Sequence, residues 1–306
     1  MSDIILHHYP QSPVSEKIRV VLGIKKLDWR SVEIPRLPPK PDLMPLTGGY
    51  RMTPVMQIGA DIFCDSLCIA RAIQERFPEP TLYPGGGDGM VWGVSRWTDG
   101  LFFQTALEVV FGAEHRNMPP EFIADRGQLY FGADWNMETL QSDLANSIAR
   151  LRTQLGWVEE RLATGRDFML GSAPGMPDAL VFYVTWFVRG RWNGGPDLLA
   201  QFPNLCAWED RVSEIGHGNP QDMTSGETLA VARDSEPATA EFADSDDPRG
   251  LKPGDAVGVT PDTGGTTVHG SILSLRRNEI AINREDDRVG RVAIHFPAVG
   301  YRVERV

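Results

Sequence analysis

A serine at a turn, followed by proline, is the first feature of this sequence that could do chemistry. Ser12 and Pro13 come after a short apolar run and before residues that are apolar at helical spacing, at Val14, Ile18, Val21 and Leu22. Proline is tolerated in the first turn of a helix, because the N–H that it lacks would be unpaired there. The sequence therefore predicts a strand, a turn and a helix, with Ser12 at the helix N-terminus.

A helix N-terminus suits an anion. Its unpaired N–H groups and partial positive charge stabilise negative charge and lower the pKa of a thiol placed there. The Ser12 hydroxyl could donate a hydrogen bond to such a thiolate. We do not expect Ser12 itself to be a nucleophile, because no nearby motif supplies a base and GxSxG is absent around it. An N-capping serine in a turn is the structural alternative.

Two further turns carry residues that suit a charged ligand. Thr53 and Pro54 precede a hairpin predicted by VMQI and IFC, which flank a Gly-Ala-Asp turn. Asp65 and Ser66 then open a predicted helix, where a hydroxyl and free N–H groups can hold a carboxylate and the aspartate can attract an ammonium. Helix capping is the structural alternative for this pair, and the two roles do not exclude each other.

These motifs all lie within residues 1–80, where strands and helices alternate. The second strand is LDWRSVEI, and the loop after it, IPRLPPKPDLMPL, is too rich in proline for regular structure. The order of strand, helix, strand, loop, hairpin and helix predicts a small α/β domain.

Residues 88–233 are expected to form a helical bundle, after a linker rich in proline and glycine. Apolar residues at helical spacing predict one long helix from Met137 to Leu162. Asp178, in the sequence GMPD, opens a helix that is apolar nearly all round and should be buried. Thr224 and Glu227 have capping-box spacing at the start of a last short helix.

The C-terminal part changes from helical to strand periodicity. Residues 234–248 are acidic, have little to bury and are expected to form a mobile linker. Residues 249–306 contain five short strands separated by turns, which predicts a small open barrel of SH3-like type.

Composition narrows the class of protein. The formal net charge of -11 argues against a nucleic-acid or anionic-membrane partner. We expect a cytoplasmic protein, because the start lacks the pattern of a signal peptide.

Cys64, Cys68 and Cys206 are best explained as reduced thiols, with a regulatory disulfide between the first two left open. The histidines form no metal-binding motif, so we expect no metal.

Four features at these separations resemble the glutathione transferase superfamily: Ser12-Pro13, Thr53-Pro54, Asp65-Ser66 and GMPD. The resemblance covers about residues 1 to 230. It implies a thioredoxin-like domain followed by an all-helical domain, with glutathione as co-substrate, a small hydrophobic electrophile as second substrate and a homodimer as the common assembly. The C-terminal strands and Gly175, where serine or threonine is usual, depart from the family pattern.

The resemblance also implies roles for individual residues. Ser12 would contact the glutathione sulfur, as in the tau class, with Tyr9 as the runner-up. Thr53 would pair through its backbone with the cysteinyl part, before a cis bond to Pro54.

Other parts of glutathione would meet other residues. Asp65 and Ser66 would hold the γ-glutamyl group, while Lys40 and Arg51 are the candidates for the glycyl carboxylate. The electrophile pocket would come from the helical domain, although its aromatic residues also suit a core: Trp97, Phe102, Phe103 and Trp186.

The function that this resemblance implies is a glutathione transferase of detoxification, whose bound thiolate attacks an electrophile or a peroxide. Dithiol exchange is excluded, because Ser-Pro-Val-Ser occupies the place of a CxxC motif. Two alternatives stay open: a noncatalytic adaptor with the same fold, and a glutathione-dependent isomerase or dehalogenase.

Overall fold

The computed structural model describes residues 3–86 and 88–306. These residues divide into two compact units. The first unit comprises the described part of Met1–Ile18 together with Lys26–Pro78 and Gly218–Val306, and the second comprises Arg19–Lys25 and Glu79–His217. The chain thus enters the second unit twice, at Arg19–Lys25 and at Glu79–His217, and returns to the first unit each time.

The strands, in chain order, are β1 Ile5–His8, β2 Asp28–Glu33, β3 Val55–Ile58, β4 Asp61–Cys64, β5 Asn219–Asp222, β6 Phe242–Ala243, β7 Ala256–Pro261, β8 Val268–Arg276, β9 Glu279–Asp286, β10 Gly290–Pro297 and β11 Tyr301–Arg305. The α-helices are α1 Pro13–Ile24, α2 Leu43–Thr47, α3 Ser66–Arg76, α4 Asp88–Trp97, α5 Phe103–Glu114, α6 Pro120–Phe131, α7 Met137–Ser142, α8 Leu144–Leu162, α9 Met176–Arg191, α10 Gly195–Leu199, α11 Pro203–Ile215 and α12 Ser225–Arg233. A π-helical turn, Thr98–Phe102, joins α4 to α5.

In the described part of the chain, all of the strands of the first unit belong to one sheet. Its order is β11-β7-β8-β9-β10-β4-β3-β1-β2-β5, with β6 beside β8. The predicted strands β1 and β2, the hairpin β3–β4, helix α3 and the five C-terminal strands are confirmed. Within the C-terminal part, the last strand returns to pair with the first, as expected of a small open barrel.

The C-terminal strands continue the N-terminal sheet, which the sequence did not predict. β10 lies parallel to β4 and pairs Ala293 with Asp61 and Ile294 with Ile62. Apolar residues from both parts form one core. The first and last segments of the chain belong to one compact unit, which also contains α12.

Local structure differs from prediction in four places. The predicted helix from Met137 to Leu162 is interrupted at Asp143, which separates α7 from α8. The proline-rich loop contains the short helix α2, and β6 lies within the predicted acidic linker. β5 was not predicted, because its residues are polar and exposed and show no alternation.

The second unit is helical, as predicted, and 12 of the 16 residues of α9 are buried. Asp178 caps α9, since its Oδ2 accepts from the Gly175 N–H at 2.8 Å, while its Oδ1 accepts from the Met169 N–H and the Trp208 indole. The structural role predicted for Asp178 is confirmed. No helix in the described ranges combines the length and the apolarity that crossing a membrane would need.

A buried charge cluster lies where β10 meets β4. His295 Nε2 is 3.0 Å from Asp61 Oδ1, and its Nδ1 is 3.4 Å from Glu279 Oε1. The ring stacks on Phe63, with centroids 4.3 Å apart. Burial alone would lower the pKa of His295, but the two carboxylates outweigh burial and raise that pKa above its ordinary value.

We predict that two buried histidines titrate in opposite directions. His295 should keep its proton above pH 6.5, whereas burial lowers the pKa of His7 to about 4, so His7 should stay neutral at pH 5. Titration of 15N-labelled histidine by NMR would measure both. Loss of the His295 proton at or below pH 6.5 would contradict this prediction.

The raised pKa of His295 also has a consequence for stability. Because the folded value lies above the unfolded value of about 6.5, the stability due to this proton is complete below pH 6.5. It is lost as the pH rises through the folded pKa.

Candidate functional site

Strand register brings the three predicted turns to one edge of the sheet. His7 of β1 pairs with Val55 of β3, and Val55 pairs in turn with Cys64 of β4. The C-terminal ends of β1 and β4 and the N-terminal end of β3 therefore lie together, at the edge of the sheet that is formed by strand ends. The Ser12, Thr53 and Asp65 turns all leave the sheet there, within the first unit.

Ser12 caps helix α1. Its Oγ accepts from the Ser15 N–H at 3.2 Å, and its own N–H donates to the Tyr9 carbonyl at 3.1 Å. A hydroxyl has one donor and two acceptor positions, so capping uses an acceptor position and leaves the O–H as a donor. The structure thus shows that Ser12 can cap the helix and donate a hydrogen bond to an anion at the same time.

Tyr9, the runner-up for the contact with sulfur, lies at the start of the same turn. Its side chain is buried, and the Arg36 guanidinium carbon lies 5.9 Å from its ring centroid. The hydrogen bond from the Ser12 N–H to the Tyr9 carbonyl places both residues in one turn. Tyr9 therefore stays a prediction, as the alternative to Ser12 for contact with the sulfur.

The Thr53–Pro54 bond is cis, as predicted. Lys40 holds this turn: its buried Nζ donates to the Thr53 Oγ1 and to the Arg51 carbonyl, both at 2.9 Å. The two predicted cations therefore differ in surroundings, because Lys40 is bonded into the turn while Arg51 is half-buried beside it. Lys40 is a structural support of the site as well as a charge within it.

Asp65 has an unusual backbone conformation at the start of α3. Its φ of 76° is one that residues with a side chain rarely adopt, and such residues cluster at functional sites. Its Oδ1 accepts from the Leu67 N–H at 2.9 Å, which caps the helix. Asp65 is thus both the cap of α3 and a half-buried carboxylate at the sheet edge.

Lys17 is a site residue that sequence reasoning missed. Its buried Nζ donates to the Ser66 Oγ at 3.0 Å, which links α1 to the N-terminus of α3. Lys17 lies five residues after Ser12, and helical periodicity separates it from the apolar residues of α1, so its charge alone suggests an exposed position. The sequence signal for this role is its position, one and a half helical turns beyond Ser12.

Two tyrosines lie close to Asp65. The Tyr301 hydroxyl lies 3.3 Å from Asp65 Oδ2 and 3.4 Å from the Tyr50 hydroxyl. Burial, followed by the charge of Asp65, raises the pKa of Tyr50 well above its ordinary value. Burial is also the largest cause of the raised pKa of Tyr301. Both phenols are therefore neutral donors at physiological pH.

Buried thiols lie under the same edge. Cys64 and Cys68 are free cysteines, and burial, followed by nearby carboxylates, raises the pKa of both thiols well above the ordinary value. A raised pKa keeps a thiol protonated and unreactive. Their side chains are part of the packing of the first unit.

The aromatic residues predicted for an electrophile pocket lie in the second unit. Phe102 and Phe103 are core residues, since Phe102 stacks on Trp97 at 5.0 Å and Phe103 packs against Tyr183 and Phe187. Trp186 is different, because it is half-buried between the guanidinium groups of two arginines, Arg19 and Arg191.

The edge of the first unit therefore combines three kinds of group. Helices α1 and α3 present their N-termini, Lys17 and Lys40 supply positive charge, and Asp65 supplies negative charge. This set suits a ligand that carries carboxylates, an ammonium and an ionisable thiol.

Comparison with known proteins identifies the class that this fold and site define. Residues 6–81 match the N-terminal domain of glutathione S-transferase, and residues 141–211 match the C-terminal domain of glutathione S-transferase. The GST-like protein from Pseudomonas syringae is 36% identical, with 100% of both chains covered and a TM-score of 0.79. The chain belongs to the glutathione transferase superfamily.

Other solved structures share the fold at lower identity. The tau class glutathione S-transferase from mango, Mangifera indica, is 16% identical, covering 70% of this chain and 92% of that chain, with a TM-score of 0.51. A glutathione S-transferase from Rhodospirillum rubrum is 19% identical, covering 69% and 87%, with a TM-score of 0.52. A comparison with curated proteins finds no match.

We predict a stability ranking for substitutions at Asp65. Asp65→Asn keeps the capping oxygen and should stay within about 0.5 kcal/mol of the original protein. Asp65→Gly loses the cap but accepts the positive φ, at a cost of about a few tenths of a kcal/mol. Asp65→Ala loses the cap and is strained as well, at about 2 to 3 kcal/mol. Urea unfolding would measure the ranking.

If Asp65→Ala were as stable as Asp65→Asn, neither the cap nor the backbone strain would contribute to stability, and the prediction would be wrong. Agreement with the ranking would provide Asp65→Asn as a folded protein that lacks only the negative charge.

Proposed function

We propose that the chain is a glutathione transferase that ionises the glutathione thiol beside Ser12, for attack on an electrophile or a peroxide. The observation that carries the proposal is the meeting of the Ser12, Thr53 and Asp65 turns at one sheet edge, given by the β1–β3–β4 register. Membership of the superfamily supports glutathione as the co-substrate.

The proposed contacts match the charges of the tripeptide. The γ-glutamyl ammonium would face Asp65, and its carboxylate would face Ser66, the N-terminus of α3 and the Lys17 ammonium. The cysteinyl backbone would pair with Thr53 before the cis bond, and Lys40 with Arg51 would face the glycyl carboxylate. The sulfur would then lie at the N-terminus of α1.

The hydrogen bond from Ser12 accounts for only part of the rate acceleration. A free thiol with a pKa of about 8.5 is only a few per cent ionised at pH 7. Lowering that pKa by two units corresponds to about 2.7 kcal/mol and raises the thiolate population at most about thirtyfold. Most of the acceleration must therefore come from holding the second substrate in line with the sulfur.

We predict that Ser12→Ala lowers turnover about fivefold at pH 6.5, where the bound thiol of the original protein would be about half ionised, because a hydrogen bond to a charged acceptor contributes about 1.5 kcal/mol. The pKa of bound glutathione should rise by about one unit, so the two rates should converge at pH 9. The dissociation constant for glutathione should change little. Turnover with an aryl halide, thiolate absorbance and calorimetry would measure these quantities.

Two variants serve as controls for this prediction. Ser12→Thr keeps both the cap and the hydroxyl and should restore turnover. Ser15→Ala removes a buried hydroxyl of the same helical turn that has no hydrogen-bond partner among the described residues, and it should leave turnover unchanged. If Ser12→Ala kept full turnover and Tyr9→Phe lost turnover, Tyr9 and not Ser12 would be the residue that contacts the sulfur.

The same measurements separate the alternatives. Tight glutathione binding without turnover on aryl halides or hydroperoxides would favour the binding or adaptor protein, and turnover limited to one halogenated or isomerisable substrate would favour the dehalogenase or isomerase. Detoxification, a cytoplasmic location and a homodimer belong to the same proposal, and membership of the superfamily supports the first and the last. Sedimentation velocity would test the dimer.

A further inference from the structure

The C-terminal strands supply a side chain to the proposed γ-glutamyl site. β10 runs parallel to β4 and in register with it, and His295 pairs with Phe63, one residue before the end of β4. The turn after β10 therefore reaches the same edge as Asp65. Tyr301, at the start of β11, extends from this turn, and its hydroxyl lies 3.3 Å from Asp65 Oδ2.

The Tyr301 ring is held firmly by aromatic neighbours. Its centroid lies 5.3 Å from that of Phe296, and Phe296 in turn packs edge-on against Tyr50 at 6.0 Å. Tyr301 has a single hydroxyl hydrogen, and a carboxylate is a stronger acceptor than a phenol. The Tyr301 O–H lies within reach of both the Asp65 carboxylate and the Tyr50 oxygen, and the carboxylate is the stronger acceptor of its one hydrogen.

The two oxygens of Asp65 are thus fixed from opposite parts of the chain. The Leu67 N–H of α3 holds Oδ1, and the Tyr301 hydroxyl of β11 holds Oδ2. Two such bonds fix the plane of the carboxylate, while the positive φ fixes where the side chain starts. The direction in which Asp65 faces a ligand is therefore set partly by residues 290–306.

We infer that Tyr301 is a positioning residue, which orients the Asp65 carboxylate toward the ammonium of a γ-glutamyl ligand. The inference rests on the proposed function and adds a specificity element that lies outside the N-terminal domain. It gives the C-terminal strands a part in ligand recognition. The Tyr301–Asp65 distance is longer than the usual 2.7–2.8 Å for such a bond, so we expect an effect smaller than is usual for a hydrogen bond to a charged group.

The test compares two ligands that differ only in the ammonium: glutathione and its des-amino analogue, glutaryl-cysteinylglycine. Calorimetry gives the ratio of their dissociation constants for the full chain and its variants. Tyr301→Phe keeps the ring and should reduce the preference for glutathione about fivefold, which corresponds to a hydrogen bond of about 1 kcal/mol. Affinity for the des-amino analogue should not change.

Two further variants separate positioning from packing. Val303→Ala loosens β11 at a buried position without touching the hydroxyl array, and it should leave the ligand ratio unchanged. In the Asp65→Asn background, where the charge is already absent, Tyr301→Phe should have no further effect on the ratio. Both results support the inference.

Equal weakening of both ligands by Tyr301→Phe, or an unchanged ratio, would overturn the inference and leave the proposed function standing. If the original protein binds neither ligand, the proposed function fails, and the inference fails with it. A ratio that falls equally in Val303→Ala would show that packing, not the hydroxyl, determines the preference.

Discussion

The structure depends above all on the pairing of β10 with β4. A sheet edge presents unpaired N–H and C=O groups, and here the parallel partner that covers them comes from more than two hundred residues later in the chain. β9 pairs with β10 and β8 with β9, so these C-terminal strands extend the sheet from this register. It is also the reason that the first and last segments share one hydrophobic core.

The pairing of β10 with β4 buries charged side chains as well as apolar ones. His295 lies between two carboxylates, one from β4 and one from β9, and its ring is buried. Burying ions is costly unless they are paired, and truncating one partner leaves an unpaired charge. The cluster therefore favours one register over a slipped one, because a shift by one residue would take His295 away from Asp61.

Much of the first unit and its site could be predicted from the sequence, because the relevant signals are local. Ser12-Pro13, Thr53-Pro54 and Asp65-Ser66 are turn and capping motifs, and the strands between them fix the edge at which they meet. Lys17 and Tyr301 were missed for a different reason. Their roles come from tertiary contacts, and a charged residue in a helix or a tyrosine in a strand reads as surface or core.

The order in which the chain is synthesised gives the β4–β10 pairing a further consequence. Domains generally begin to fold from the N-terminus as they leave the ribosome. In this protein the N-terminal sheet is made first, the whole second unit follows, and the strand that covers β4 emerges near the end. Until residue 297 has been translated, the nascent sheet exposes an edge suited to pairing with another chain, so this stage of biogenesis is where protection by a chaperone matters most.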